Sequence, residues 1–303
     1  MNRARERRAV HGIVLLDKPV GITSNTALQR VKRLFNAAKA GHTGNLDAPA
    51  SGLLPICLGE ATKVTPYLLD ADKEYVASIG FGTRTTTADA AGEVLETRPV
   101  PALGADAVDV VLRRFLGEIE QVPPMYSALK HQGERLYRLA AQGLTVDRRA
   151  RTVTIHAIER VALGDSEMEI RVRCSKGTYI RTLAEDIGSA LGTVAHLRAL
   201  RRTRVAPFGI EGAHALEELE RRARGGTRAL DAVLLAMDLA LPQLAAVQFS
   251  RDSAYYVRTG QAVRTAGAAA GLLRMYDEEG RFMGIGERTD DGRVAPRRLV
   301  NWS

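Results

Sequence analysis

The stretch from 40 to 55 carries the group best suited to chemistry in this chain of 303 residues, the carboxylate of Asp47. Its glycines and prolines predict an ordered loop, because glycine supplies unusual backbone angles and proline interrupts regular structure. No lysine or arginine stands within five residues of Asp47, so a charged partner must come from elsewhere in the fold. A carboxylate among apolar neighbours suits a nucleophile or an acid/base group, and a solvated turn aspartate is the plain alternative.

Two further side chains suit such chemistry, and each also has a structural explanation. Tyr75 lies in 73–82, where alternating apolar residues predict a strand and a core position, and its ring also carries a polar hydroxyl that can accept or donate a proton. Arg181 falls in the first turn of a helix predicted from about 178, where the helix dipole disfavours a cation. Arg181 can pair with Glu185 one turn later, or it can supply the missing partner of Asp47.

The loop around Asp47 and its continuation to Lys63 resemble the signature of the TruB family of tRNA pseudouridine synthases. Four further blocks of the family pattern follow in order, at 73–92, 123–130, 174–188 and 196–208. One departure is that the family has proline directly after the aspartate, where this chain has Ala48 and then Pro49. Proline restrains the residue before it, so the restraint falls here on Ala48 and we expect Asp47 to be less firmly oriented.

The resemblance implies an isomerase that converts the T-loop uridine of tRNA, at position 55, to pseudouridine. It implies that Asp47 performs the chemistry, that Tyr75 stacks on the flipped base and assists proton removal, and that Arg181 orients Asp47. Attack on the ribose, attack on the base and stabilisation of a glycal intermediate all remain compatible with these residues. No metal or other cofactor is expected. The substrate-binding residues that the resemblance implies are His42, Lys63, Tyr179 and Leu200.

Two of these substrate-binding residues have simpler alternatives. His42 can be a loop histidine bonded to its own backbone, and Leu200 can be a plain core residue. The segment 130–151 has six lysines and arginines against two acidic residues, which is typical of phosphate contacts or of a solvated helix face. The resemblance favours RNA, because it places an RNA-binding insertion at about 124–152. The candidate contacts to the RNA backbone are Lys130, Arg135, Arg201 and Arg202.

The elements that must position these groups predict an α+β fold. Strands are predicted at 12–19, 73–82 and 167–174, and helices after a cap at Thr23 or Ser24, at 61–69, at 105–116, from about 178 and over 211–241. The resemblance implies the pseudouridine synthase fold, a mixed and largely antiparallel sheet flanked by helices. Short strands after 247, separated by turns at 279–280 and 291–292, resemble a small PUA-like domain. We expect a catalytic domain at 1–245 and an RNA-binding domain at 246–303.

Composition limits the remaining classes of protein. The chain has 43 Lys and Arg against 35 Asp and Glu, and this net charge of +8 suits a polyanionic partner such as the T-arm of tRNA. Cys57 and Cys174 lie outside any CxxC or Cys/His cluster, so neither a zinc site nor a disulfide framework is expected. The arginine-rich start, 1–10, precedes an apolar run too short for a signal core or a membrane span. These arginines can touch RNA or form a solvated tail, and we expect a cytoplasmic, monomeric protein without membrane contact.

Two other functions stay open at the level of sequence. The Ala48–Pro49 departure is compatible with a tRNA-binding protein or tRNA folding chaperone that has lost turnover. A hydrolase of glycosidic bonds is the second alternative, and such enzymes typically need two carboxylates about 5–9.5 Å apart. The matched blocks offer one carboxylate and an arginine, so that alternative requires a second acid near Asp47.

Overall fold

The computed structural model describes residues 7–265 and 269–302, and Arg3 and Arg5 of the arginine-rich start lie outside them. Across both described ranges, no helix has the length and apolar character needed to cross a membrane. The strands are β1 (Gly12–Lys18), β2 (Ala40–His42), β3 (Ser51–Leu58), β4 (Lys73–Phe81), β5 (Thr83–Thr85), β6 (Val94–Thr97), β7 (Gly117–Gln121), β8 (Lys130–His131), β9 (Glu134–Arg135), β10 (Arg151–Leu163), β11 (Glu167–Cys174), β12 (Ala195–Val205), β13 (Phe208–Gly209), β14 (His214–Ala215), β15 (Ala245–Gln248), β16 (Val263–Arg264), β17 (Gly271–Tyr276), β18 (Phe282–Arg288) and β19 (Arg293–Leu299).

Helices lie between the strands of the first sheet and at the start of the second. The α-helices are α1 (Ser24–Leu34), α2 (Thr65–Asp70), α3 (Ala105–Arg113), α4 (Leu136–Ala141), α5 (Ile180–Ala190), α6 (Leu216–Arg224), α7 (Thr227–Asp231) and α8 (Arg251–Arg258). Short 3₁₀ helices span Gly59–Lys63, Ile210–Gly212 and Met237–Ala240. The Thr23 hydroxyl accepts a hydrogen bond from the Thr26 N–H and so caps α1, as the sequence predicts.

A ten-stranded mixed sheet forms the centre of the molecule, with the strand order β14-β1-β3-β12-β4-β11-β10-β7. Strand β2 pairs with β3, and β13 pairs with β12. The β1–β14 and β3–β12 pairs are parallel, and the other pairs of the described sheet are antiparallel. The predicted α+β class with a largely antiparallel sheet is therefore confirmed, and β3, β12 and β4 lie at its middle.

Helices cover one face of this sheet in two groups, because each group presents an apolar stripe. Helices α1 and α6 pack on β1 and β3 around Phe35 and Leu54, and α3 and α5 pack on β4, β10 and β11 around Ile170 and Leu183. Strand β11 alternates between buried residues such as Ile170 and exposed charged residues such as Arg171, which confirms its predicted half-exposed position.

The chain after residue 244 forms a second, five-stranded sheet with the order β15-β17-β18-β19-β16. The predicted turns at 279–280 and 291–292 connect β17 to β18 and β18 to β19, so both predicted hairpins are confirmed. This sheet contacts the first part of the chain through Phe282 and Ile285, which share an apolar cluster with Leu53 and Val205. That contact places the second sheet against the centre of the first.

Two predictions about local structure are wrong. The segment 211–241 contains α6, α7 and two 3₁₀ turns rather than one continuous helix, because Gly225 and Gly226 separate α6 from α7. The predicted loop at 40–55 is shorter, since β2 occupies its start and β3 begins at Ser51. Pro55 of β3 is in register with Leu15 of β1 on one side. On the other side β2 pairs only with 56–58 and β12 only with 51–52, so no strand on that side requires an N–H at position 55.

Candidate active site

The loop 43–50 between β2 and β3 is fixed by hydrogen bonds on both sides of its carboxylate. The Ser24 hydroxyl, at the start of α1, accepts from the Leu46 N–H at 2.7 Å and donates to the Leu46 carbonyl at 3.0 Å. On the other side, the Gly21 N–H donates to the Ala48 carbonyl at 2.7 Å. The turn before α1 therefore holds the main chain directly before and directly after residue 47.

Asp47 forms an ion pair with Arg181, with 3.0 Å between Oδ2 and Nη2. The Asp47 side chain is 50% exposed and the Arg181 side chain 7% exposed, so a buried cation presents the carboxylate to solvent. Arg181 also donates to the carbonyls of Thr87, at 3.0 Å, and Tyr126, at 2.8 Å. The predicted pairing of Arg181 with Asp47, rather than a helical pair with Glu185, is confirmed. The guanidinium joins three separate segments of chain at one point.

Lys18, at the end of β1, is a second buried cation near Asp47 and is a site residue that was not predicted from sequence. Its ammonium is fully buried and donates to the carbonyls of Pro19, at 2.9 Å, and Ile22, at 2.7 Å. Burial lowers the pKa of Lys18 to about 8, although the Asp47 carboxylate opposes this shift and Arg202 adds to it. Lys18 and Arg181 are thus two cations that interact electrostatically with the Asp47 carboxylate. The sequence signal for it is a lone lysine in the apolar run of β1.

Tyr75 and Leu200 lie on adjacent central strands. Leu200 of β12 pairs with Ala77 of β4, and Arg202 of β12 pairs directly with Tyr75. Tyr75 and Leu200 are both half-buried and pack at the edge of the apolar cluster under the sheet. Burial raises the pKa of Tyr75, whereas the neighbouring Arg202 guanidinium counteracts part of that rise. Asp47 also acts electrostatically on Tyr75, so the structure brings the predicted catalytic residues into one site.

Tyr179 lies immediately before α5, two residues from Arg181. The Gln121 side chain fixes its main chain by accepting from the Tyr179 N–H at 3.0 Å and donating to its carbonyl at 3.2 Å. The Arg151 guanidinium lies over the Tyr179 ring, 4.6 Å from the ring centroid. Both side chains are therefore positioned at the junction between the basic insertion and α5.

His42 ends β2 and is half-buried. Its Nδ1 is buried and finds no hydrogen-bond partner among the residues that the structure describes. Burial lowers the pKa of His42, and the nearby Arg202 guanidinium lowers it further. Both effects favour the neutral form of the His42 imidazole, beside the loop that carries Asp47.

Two predicted site residues lie in other environments than those assigned from sequence. Arg202 is 1% exposed, and its Nε donates to the Leu53 carbonyl at 2.7 Å. Its guanidinium is therefore not accessible for contact with an RNA backbone at the surface. Lys63 forms an ion pair with Glu60 and donates to the Leu299 carbonyl at 2.6 Å. The structure thus places the Lys63 ammonium at the contact with the second sheet, and a substrate-binding role is not supported.

The other three candidate RNA contacts are on the surface. Lys130 and Arg135 are exposed and are cross-strand partners in the β8–β9 hairpin of the basic insertion. Arg201 is also exposed and forms a two-pronged ion pair with Asp17, at 3.1 and 2.7 Å. Lys130 and Arg135 are thus accessible to a polyanion, whereas Arg201 must exchange Asp17 for a phosphate to make such a contact.

Replacing Ala48 with proline tests whether the shifted proline weakens the orientation of Asp47. The Ala48 carbonyl, which proline retains, keeps its bond to Gly21, and the added restraint falls on Asp47. We expect Ala48→Pro to raise kcat about two- to fivefold, the factor that corresponds to a proline restraint of 0.4–1 kcal/mol. Steady-state turnover compared with Ala102→Pro, in an exposed connecting segment, measures this. Turnover unaltered by Ala48→Pro would contradict the idea.

The chain matches descriptions of known protein families along most of its length. Residues 32–180 match the N-terminal domain of the TruB family pseudouridylate synthases. Residues 181–242 match the tRNA pseudouridylate synthase B C-terminal domain, and residues 245–300 match the C-terminal region of pseudouridine synthase II TruB. The tRNA pseudouridine synthase B of Nitrosococcus oceani is 56% identical over 292 residues, which cover 96% of this chain and 95% of that protein. This chain belongs to the TruB family. Its class of activity is therefore isomerisation of uridine in RNA to pseudouridine.

Further comparisons agree with membership of the TruB family. The tRNA pseudouridine synthase B of Ectopseudomonas mendocina is 54% identical over 298 residues, 98% of this chain and 97% of that protein. Among solved structures, a Cbf5-Nop10-Gar1 complex contains a chain with a TM-score of 0.73 and 29% identity, covering 96% of this chain and 83% of that one. The archaeal box H/ACA sRNP Nop10-Cbf5 complex gives 0.71 and 26%, with 96% and 86% covered. These similarities confirm the predicted fold.

Proposed function

We propose that this TruB-family chain isomerises the uridine at position 55, in the T-loop of tRNA, to pseudouridine. The observation that carries the proposal is the ion pair of Asp47 with the buried Arg181, 3.0 Å apart, in the electrostatic range of Tyr75. The substrate class is supported by curated relatives named tRNA pseudouridine synthase B. The T-loop position is supported by the matched sequence blocks.

In this mechanism the target uridine first leaves the stacked loop, because its reacting atoms are inaccessible inside folded RNA. Tyr75 stacks on the extruded base, and Leu200 and Tyr179 line the pocket around it. Asp47 drives cleavage of the bond between ribose C1′ and uracil N1, the uracil turns, and a bond forms between C1′ and C5. Tyr75 accepts the C5 proton, the C–H electron pair restores the ring double bond, and N1 takes up a proton from solvent, so that product and substrate have the same composition.

The remaining predicted residues act on the RNA. Neutral His42, at the end of β2, supports the displaced RNA backbone beside the loop. Lys130, Arg135 and Arg201 contact phosphates, which position the RNA without selecting sequence. Arg202 and Lys63 have no place in this set, because one is buried and the other is bound at the second sheet.

We also propose that the chain works as a monomer of two domains, at 1–245 and 246–303, in the cytoplasm. Separate sheets before and after residue 245 support this division. The second domain docks on RNA, and the basic insertion at about 124–152 contacts the T-arm. The function of its relatives in tRNA modification supports the location.

Tritium release from a tRNA transcript labelled at uridine C5 tests the proposal, because pseudouridine formation expels the C5 hydrogen. We expect the release of one tritium label per tRNA molecule. A transcript with cytidine at position 55 should release no label. Equal release from both transcripts would contradict the assigned position. Binding of tRNA without any release would instead support the tRNA-binding or chaperone alternative.

Replacing Arg181 with lysine is expected to lower kcat about 100-fold, since an error of about 1 Å in placing a catalytic group has that cost. Lysine keeps the charge but cannot fork to Asp47, Thr87 and Tyr126 together. Arg160→Lys is the matched control, because Arg160 forms a two-pronged pair with Asp109 on α3. Single-turnover tritium release measures both variants, and equal losses would show that Arg181 has no special role.

A further inference from the structure

Arg202 is a buried cation in the middle of the sheet. Its hydrogen bonds to carbonyl groups leave part of the guanidinium available to interact with Tyr75. Its side chain is 1% exposed. Its Nε donates to the Leu53 carbonyl at 2.7 Å, and its Nη2 donates to the Gly44 carbonyl at 3.4 Å. Burying a charge costs free energy that neutral carbonyls offset only in part. A position with that cost indicates a function for the cation.

The guanidinium faces Tyr75. Arg202 of β12 and Tyr75 of β4 are direct cross-strand partners in an antiparallel pair, a geometry that puts side chains on the same side of the sheet about 4.5–5.5 Å apart at Cβ. The phenol of Tyr75 and the guanidinium of Arg202 also interact electrostatically. A Cβ built on Gly44 would lie 3.7 Å from Arg202 Nη1, so the same group also touches the loop that carries Asp47.

We propose that Arg202 is a positioning residue for Tyr75, whose phenol oxygen it holds toward the active-site loop and whose phenolate form it stabilises for acceptance of the C5 proton. This role rests on the proposed function, because that function requires Tyr75 to remove a proton from C5. The fixed carbonyl partners, Leu53 and Gly44, hold the guanidinium before substrate arrives. The cation is thus preorganised where negative charge develops on Tyr75.

The proton step balances with these groups alone. The C5–H bond breaks, its electron pair returns to the uracil ring, and the proton joins the Tyr75 phenolate to give the phenol. Burial raises the pKa of Tyr75, so the phenolate is scarce without a neighbouring cation. Arg202 acts against that rise, and the other charged or titratable groups that face Tyr75 are Cys174 and Asp47, which both add to it. Arg202 is therefore the group that favours the basic form.

A pH titration of Tyr75 tests this directly and does not depend on turnover. Tyrosinate absorbance is measured for the parent, Arg202→Met and Arg202→Lys, each as the difference from the same protein with Tyr75→Phe. We expect Arg202→Met to move the Tyr75 midpoint up by about one pH unit or more, the usual effect of removing an opposite charge in contact. Arg202→Lys keeps a shorter cation and should move it up by less. Arg160→Met, which removes an arginine from β10, should leave it unchanged.

A Tyr75 midpoint that stays in place in both Arg202 variants would overturn the proposal. Arg202→Lys keeps the experiment decisive if Arg202→Met does not fold, because lysine retains the buried charge. Failure of the proposed function is distinguishable, since in that case the parent releases no tritium while the titration still reports the interaction of Arg202 with Tyr75.

Single-turnover tritium release separates positioning from a general structural role. We expect Arg202→Met to lower the rate of tritium release at pH 7.5 about tenfold or more. The pH at which this rate rises should move up by the same number of pH units as the Tyr75 midpoint in the titration. In a Tyr75→Phe background the same substitution should cost less than about twofold, because Arg202 acts through the phenol. Equal losses in both backgrounds would show a structural role and overturn the proposal.

Discussion

Asp47→Asn is expected to abolish tritium release, with a fall in single-turnover rate of at least about 1,000-fold, as when the central group is removed from other active sites. Asparagine has the same shape as aspartate and can still accept a hydrogen bond from Arg181, but it is neutral and a poor nucleophile. The Arg181 side chain is 7% exposed, so removing its anionic partner leaves a buried cation, and the folding free energy should fall by about 1–3 kcal/mol. Urea denaturation measures this loss, and an Asp47→Asn protein that is folded under the assay conditions attributes the loss of activity to the chemistry.

The control for this experiment is Asp109→Asn, which removes a carboxylate from a different ion pair with arginine, the two-pronged pair of Asp109 with Arg160. It should leave tritium release within about twofold of the parent, since Asp109 pairs with Arg160 away from the loop 43–50. Filter binding of tRNA should be unchanged in both variants. Release by Asp47→Asn at more than about one tenth of the parental rate would remove Asp47 from the centre of the mechanism.

The parts of the fold that follow local periodicity were predictable from sequence. Strands β1, β4 and β11 and the stripe of α5 appear where alternation or helical spacing puts apolar residues on one side. Strand β3 was not predictable in this way, because its proline is typical of a loop and is tolerated only through gaps in the pairing of β2 and β12. Periodicity describes one strand, whereas that tolerance depends on its neighbours.

The buried position of Arg202 was not predictable from the local sequence pattern. It stands in a run of arginines with Arg201 and Arg204, and such a run favours an exposed strand. In the structure β12 has irregular register against β4 between Leu197 and Ala199 and again between Arg202 and Arg204, so simple alternation fails along it. These irregularities turn Arg202 inward while both neighbouring arginines stay on the surface.

Lys63 illustrates a second limit, that of distance along the chain. Its position after the matched loop favours a place in the substrate pocket, but its ammonium donates to Leu299, 236 residues later. Glu60 of the same 3₁₀ helix pairs with Lys63 and accepts from the Asn301 N–H at 2.7 Å. The return of the C-terminal end to this helix depends on tertiary packing, which no local pattern in 59–63 indicates. By contrast, the pairing of Arg181 with Asp47, which the family resemblance favoured over a helical pair with Glu185, is confirmed by the ion pair of 3.0 Å.

Gly52→Ala should strongly destabilise the protein. Gly52 has a φ of +103°, and a Cβ there would lie 2.3 Å from the carbonyl oxygen and 2.7 Å from the nitrogen of Arg202. Both atoms belong to the backbone of β12, so relief requires that β3 and β12 separate. Backbone strain and overpacking each typically cost about 1–3 kcal/mol, and we expect urea denaturation to show a loss of about 3 kcal/mol or more.

Gly260→Ala separates the two causes, because Gly260 has a φ of +87° but nothing within 4 Å of a built Cβ. It should lose only about 1–2 kcal/mol, the cost of a left-handed conformation for a residue with a side chain. Equal losses of stability in the two variants would show that β3 and β12 can separate at Gly52 without a cost in free energy. Because the displaced atoms belong to Arg202, any folded Gly52→Ala protein should also release tritium more slowly, whereas folded Gly260→Ala should match the parent. The close approach of β3 to β12 at Gly52 thus links the stability of the sheet to the position of the cation beside Tyr75.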